Sequence, residues 1–215
     1  MASLADRLVD VLASVAAAVK DARRGYAGGG PPVGWQLSPL GVLSVGTGMN
    51  TTAGRIYLHA IDVPIEAEWD AISYGITTAR VAGTTVALTA AMYASDAAGW
   101  IDLASGPVIG PVVLADTSTG NKVATVTPVR LKPGRYWTAT LYTYASAPTT
   151  HVAMSCDSNN AQGIPRPTSQ PPSGGAIRGY YLAGPYSSIG AIEGNPTMNV
   201  SGNTDVPVLG LRRSA

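Results

Sequence analysis

The chain has 215 residues, of which only 13% are charged, and its net charge is +1. That balance offers no basic surface for neutralising nucleic-acid phosphates. The lone Cys156 excludes an intramolecular disulfide, and no Cys/His spacing suggests structural zinc.

Residues 1–25 read as a short self-capped helix. Leu4, Leu8, Val11, Val15, Ala18 and Ala22 recur at alternating steps of four and three, the spacing of a coiled-coil seam. Ser3 with Asp6 makes an N-terminal cap, Arg23 and Arg24 suit the negative end of the helix dipole, and Gly25 is a natural stop. Such a helix, about 30 Å long, is marginal alone in water and needs a partner. Leu12 and Val19 broaden the apolar stripe, which favours three strands or burial against a larger assembly over a two-stranded zipper. Asp6 and Asp10 against Arg7 argue against a secretory signal, which needs a basic start. A helix folded back onto the body is the competing arrangement. Residues 26–34, with Gly28, Gly29, Gly30, Pro31 and Pro32, form a hinge that decouples the helix from the body.

Residues 35–215 form one β domain. It is rich in Thr, Val, Ala, Gly and Pro, has no Phe, and contains no apolar run near the roughly 20 residues that a membrane span needs. Strand signals fall at 54–59, 69–77, 85–93, 107–114, 122–127, 135–144, 179–183 and 206–211. In 69–77, alternation puts Asp70, Ile72, Tyr74 and Ile76 on the core side and Trp69, Ala71 and Ser73 on the other. Lys132-Pro133-Gly134 is a strong turn signal leading into an aromatic strand. Residues 155–175 make an irregular excursion, with four prolines between 164 and 172, long enough to reach a neighbouring subunit. With no long helical pattern between strands, the expected fold is mainly β: an antiparallel β-sandwich, jelly-roll-like, behind a trimeric helical coiled coil. Ile72, Ile76, Val86, Leu88, Val126 and Leu141 are the expected core.

The chemistry-bearing residues are sparse. His59 and His151 sit in or beside strands and read as structural. No Gly-x-Ser-x-Gly, His-Glu-x-x-His or phosphate-binding loop occurs, and the carboxylates are scattered over turns, so neither catalysis nor a cofactor or metal is expected. Exposed aromatics are the better candidates. Tyr136, Tyr142 and Tyr144 share one face of their strand and Trp137 takes the other, for contact with a subunit or stacking on a glycan. Trp100 is a further candidate for glycan or subunit contact, and the loops 100–102 and 157–160 are of a kind that binds glycan or metal but also read as ordinary turns.

Two stretches carry a family resemblance. One runs from Gly54-Arg55-Ile56-Tyr57 through Val63-Pro64 and Trp69 to Tyr74-Gly75-Ile76; the other runs from Met92-Tyr93 to Leu131-Lys132-Pro133-Gly134-Arg135-Tyr136-Trp137. Together they resemble a β-sandwich module of tail-fibre, minor tail and head-fibre proteins of tailed bacteriophages, especially those infecting actinobacteria. The resemblance spans about residues 50–145 and includes a hairpin at Pro133-Gly134 and the N-terminal helix as a trimerising or docking peg. It implies a non-enzymatic structural role on the outer surface of a virion, as a minor tail or fibre protein. Capsid decoration or a head fibre is the alternative, and a carbohydrate-binding module without a virion role is a third. The implied partners are copies of itself in a homotrimer, other virion structural proteins and a host cell-surface glycan, without nucleic acid or membrane insertion. Low charge suits a body packed among copies.

The heptad stripe makes a direct prediction. Leu8→Asp or Val11→Asp places an unpartnered charge in the seam and should abolish the trimer, as light scattering on the full-length chain would show.

Overall fold

The structure is a computed structural model that describes residues 36–37, 48–82, 87–157, 179–194, 196–200 and 206–214. The expected helix 1–25, the hinge 26–34, Val86 and most of the excursion (158–178) lie outside the described residues. Among the described residues the fold is mainly β, with antiparallel sheets and no helix.

The strands in chain order are β1 (Gln36–Leu37), β2 (Met49–Asn50), β3 (Ile56–Val63), β4 (Ala67–Thr78), β5 (Ala87–Ala94), β6 (Pro107–Leu114) and β7 (Gly120–Leu131). There follow β8 (Gly134–Thr143), β9 (Ala153–Met154), β10 (Cys156–Asp157), β11 (Tyr180–Leu182), β12 (Met198–Val200), β13 (Val206–Pro207) and β14 (Leu209–Arg213). One six-stranded sheet runs β12-β11-β3-β8-β5-β6. The other runs β1-β14-β4-β9-β2 and adds β7. Ala71–Tyr74 of β4 pair with β14 and with β7 at once, so β7 borders β4 on the edge opposite β14. β10 and β13 pair separately.

The chain passes repeatedly between sheets. β3 belongs to one and β4 to the other, and the chain then returns to the first for β5 and β6, crosses for β7 and returns for β8. The turn at Lys132 and Pro133 is where expected, but it joins β7, paired with β4, to β8, paired with β3 and β5. It is an arch between sheets, not the hairpin that the phage-like pattern implied. Proline suits such a corner because it offers no N–H to a ladder.

Both sheets contribute to one apolar cluster. Trp69, Ile72, Tyr74 and Ile76 of β4 and Leu209 and Leu211 of β14 meet Ile61 and Val63 of β3, Leu88 and Met92 of β5, and Tyr142 of β8. A second cluster covers the opposite face of the β3-β8-β5 sheet. It joins Ile56, Leu58, Tyr93, Trp137, Leu141, Tyr180 and Leu182 to Ile101, Leu103 and Ile189 from the loops. The β3-β8-β5 strands are therefore buried on both faces, which explains their nearly continuous apolar spelling. Aromatic tips fasten the loops over the second face: the Tyr93 hydroxyl donates to the Gly190 carbonyl at 2.7 Å, and Trp137 Nε1 donates to Ser95 Oγ at 3.1 Å.

Of the expected core, Ile72, Ile76, Leu88 and Leu141 are each at most 2% exposed, and Val126 is half-buried against the first cluster. One expectation fails. Trp69 is fully buried with Ile72, Tyr74 and Ile76, while Asp70 is half-exposed and bonded to Arg212 at 2.9 Å. Register shifts between Trp69 and Ala71, against both β7 and β14, reset the side-chain parity at Asp70. An irregularity of this kind moves everything beyond it to the other face.

Leu141→Ala should leave a cavity in the second cluster and cost about 2–5 kcal/mol. Denaturant unfolding followed by circular dichroism would measure it.

Candidate functional site

Asp62, Asp70, Asp96, Asp102 and Asp116 are engaged within the fold. Asp62 and Arg135 are register partners across β3 and β8, and the guanidinium donates to both carboxylate oxygens at 2.9 and 3.1 Å. Arg80 donates to both oxygens of Asp116 at 2.8 and 3.2 Å, and its main-chain N–H donates to the Asp116 carbonyl. That pair is largely withdrawn from water, with side chains 18% and 9% exposed. Glu66 accepts from Arg130 at 2.7 Å in solvent, where such a pair contributes little. Asp96 accepts the main-chain N–H groups of Ala98 and Trp100, and Asp102 accepts that of Ser105. Hydrogen bonds from Ser105 hold the Asp102 carboxyl below its ordinary range. Among the described residues no three His, Cys, Asp or Glu side chains converge as a metal site.

The structure divides the four aromatic candidates between the two faces of the β8 sheet. Tyr136 and Tyr142 point to the first cluster and Trp137 to the second, so the alternation read from the strand holds. Tyr142 and Tyr144 come together with His151 in a triangle of ring centroids 5.7–6.2 Å apart. Tyr142 has no exposed surface, and its hydroxyl finds no partner among the described residues. Burial first, then the Asp116 charge, pushes its phenol above the ordinary tyrosine value, with Arg80 opposing. Tyr136 stands apart, half-buried, its hydroxyl donating to the Lys132 carbonyl at 3.1 Å.

Trp100 lies on the other face. Its ring meets Tyr180 edge-on at 6.2 Å, and Tyr180 in turn meets Trp137 at 5.9 Å. Beside it is an open cleft of about 210 Å³ lined by Asp96, Ile101, Asp102, Leu103, Ile192 and Met198, among others. Trp100 neighbours this cleft through Ile101 and through its main-chain N–H, which donates to Asp96, and its own ring packs on Tyr180.

A second shallow cleft, also about 210 Å³, was not visible in the sequence. The Arg55 guanidinium lies 4.4 Å above the Tyr181 ring, and Tyr57 flanks the same ring at 6.5 Å. Register accounts for the meeting, because Tyr57 and Tyr181 are directly opposed in the β3–β11 ladder. The wall depends on glycine: a Cβ on Gly184 would fall 1.8 Å from the Gly54 carbonyl oxygen, and Gly54 itself has φ +72°.

The remaining conspicuous surface is formed by β6 and β7. Among the described residues, β6 pairs with β5 alone and β7 with β4 alone, and the two strands lie beside each other. They carry Val108, Val113 and Val123, which are 36%, 67% and 40% exposed. With Val81, these are the exposed large apolar side chains among the described residues. The surface was legible in sequence only as two ordinary strands, since nothing local says which neighbours a strand will have.

Comparison of the chain with protein-family models finds no match, and comparison with the curated proteins finds none either.

Tyr93 supplies a pH prediction. Burial pushes its phenol up from the ordinary 10 to about 12, so the folded chain holds a proton that the unfolded chain releases. The stabilisation is complete below pH 10 and is lost as pH rises toward 12. The denaturation midpoint should fall across that window, and Tyr93→Phe should reduce the slope.

Proposed function

We propose that this chain is a non-enzymatic structural protein of a tailed-phage virion, displayed on the outer surface as a minor tail or fibre protein. In this reading the two sheets form a jelly-roll-like sandwich, and residues 1–25 form the inward helical peg. The peg trimerises through Leu4, Leu8, Val11, Val15, Ala18 and Ala22, and residues 26–34 act as the hinge between peg and body. The observation that carries the reading is the charge-poor pair of strands β6 and β7 with their exposed Val108, Val113 and Val123, a surface suited to assembly. The engagement of Asp62, Asp70, Asp96, Asp102 and Asp116 in ion pairs and turns supports a scaffold in which carboxylates brace the fold. Chain composition agrees, since only 13% charged residues lets copies approach closely.

Trp100 beside the Asp96–Asp102 cleft favours a second reading, a carbohydrate-binding module. It is compatible with a fibre that adheres to a host surface glycan. Retention of host cell-wall polysaccharide by the chain outside any particle would favour that module in its own right.

Antibody raised against the body should decorate intact virions in electron micrographs. Label on the tail supports the minor tail or fibre role, and label on the head moves the assignment to capsid decoration or a head fibre. Intact particles that take no label would overturn outward display.

A further inference from the structure

The arginines of the body are placed in two ways. Arg80, Arg130, Arg135 and Arg212 each donate to an aspartate or glutamate, so their charge is neutralised within the fold. Arg55 donates to no carboxylate among the described residues, and its guanidinium lies 4.4 Å from the centre of the Tyr181 ring. That ring is a fixed platform. Tyr181 packs against the buried Tyr57, Cys156 and Val206, and Tyr57 opposes it directly in the β3–β11 ladder. The chain around the guanidinium is pinned as well. The Thr52 main-chain N–H donates to the Tyr57 hydroxyl at 3.1 Å, and that of Gly54 donates to the Tyr142 carbonyl at 2.8 Å. The Gly54 carbonyl accepts from the Tyr186 N–H at 2.8 Å, which ties the two walls of the cleft together. Thr52, Ala53, Arg55, Ala183, Gly184 and Pro185 line it, and Arg55 is the single charged residue among them.

We infer that Arg55, on its Tyr181 platform, binds a carboxylate borne on a uronic-acid unit of an acidic polysaccharide. A guanidinium stacked on an aromatic face keeps the N–H groups along its edge directed outward in one plane. That planar fork matches a carboxylate through two parallel hydrogen bonds. Charge selects carboxylate over a phosphate monoester, because the cleft lining offers one cation while the monoester brings about two negative charges. The small walls suit a sugar ring as the carrier: Ala53, Ala183 and Pro185 offer apolar surface and Thr52 a hydroxyl. Gly184 adds main chain without a side chain, and a Cβ there would strike the Gly54 carbonyl oxygen. A single ion pair in contact with water is weak. A polymer that repeats the carboxylate gains strength by engaging several copies of the chain at once, and a homotrimer presents three such sites. The inference rests on the glycan contact of the preceding reading, gives that glycan its charge, and seats it apart from the Asp96–Asp102 cleft, whose carboxylates would repel it.

The test uses the full-length chain, with polygalacturonate as the probe and neutral dextran and poly(glycerol phosphate) as references. Immobilised polygalacturonate should retain the chain more strongly than either reference, and soluble galacturonate should compete where galactose does not. Arg55→Gln should weaken retention by about tenfold or more, the scale of a hydrogen bond to a charged group. Arg55→Lys keeps the charge without the fork and should recover only part of the loss. Lys132→Gln removes an exposed charge elsewhere and should leave retention unchanged. Circular dichroism should show the same β spectrum for all three variants, and the competition by galacturonate needs no variant at all. The inference is overturned if polygalacturonate retains the chain no better than dextran, or if galactose competes as well as galacturonate. It is equally overturned if Arg55→Gln has no greater effect than Lys132→Gln. Equal retention on poly(glycerol phosphate) would overturn the choice of carboxylate. Retention that depends on Arg55 in a chain absent from virions would sink the virion reading alone. A chain found on virions without such retention would sink this site alone.

Discussion

The fold depends on one constraint: the sheet built on β3, β8 and β5 has water on neither face. Its strands must present apolar side chains in both directions, and β8 does so by alternation, with Tyr142 directed one way and Trp137 and Leu141 the other. One face is covered by the second sheet. The other is covered by irregular chain, and irregular chain carries main-chain polar groups that need partners. Tyr93 answers part of that need by donating to the Gly190 carbonyl, and Trp137 fastens the same cover by donating to the Ser95 side-chain hydroxyl. The large aromatics thus supply buried area and anchor the loops at once.

The same economy shapes the polar residues. With few charges in the chain, most carboxylates described are committed to particular cations or main-chain amides. Asp62 and Arg135 cross-brace two strands of one sheet. Asp116 and Arg80 tie together the connections that leave β6 and β4. Asp70, turned outward by the register shift, meets Arg212 on β14. Partly withdrawn pairs of this kind hold geometry more than they add net stability, because desolvation offsets much of the attraction. What the described surface offers besides is aromatic and apolar: Trp100 near a cleft, Arg55 over Tyr181, and the valines of β6 and β7.

The aromatic candidates show how far strand alternation can be carried. Tyr136 and Tyr142 do share a face, but the face is interior, and Tyr142 is unavailable to any partner. Alternation relates side chains of one strand to each other and says nothing about which sheet covers them. The hairpin expected at Pro133-Gly134 turned out differently for a related reason. A turn signal marks where the chain reverses, and the hydrogen-bond partners of the flanking strands decide whether it closes a hairpin or an arch.

Several features were determined by the sequence alone. The density of β-branched and small residues, the turn punctuation and the missing helical period specified an antiparallel β body and placed β3–β8, β11 and β13–β14 to within a few residues, while the short β1, β2, β9, β10 and β12 were not marked. Those are local properties, written in backbone preference and side-chain period. Only the tertiary structure decided the rest: that Trp69 joins the core while Asp70 leaves it, that Arg80 meets Asp116 and Arg212 meets Asp70 from distant parts of the chain, and that β6 and β7 stand outermost in their sheets among the described residues. Each depends on pairing between strands far apart in sequence. A single register shift or a missing neighbour then reverses a side chain's environment while leaving the local sequence pattern unchanged.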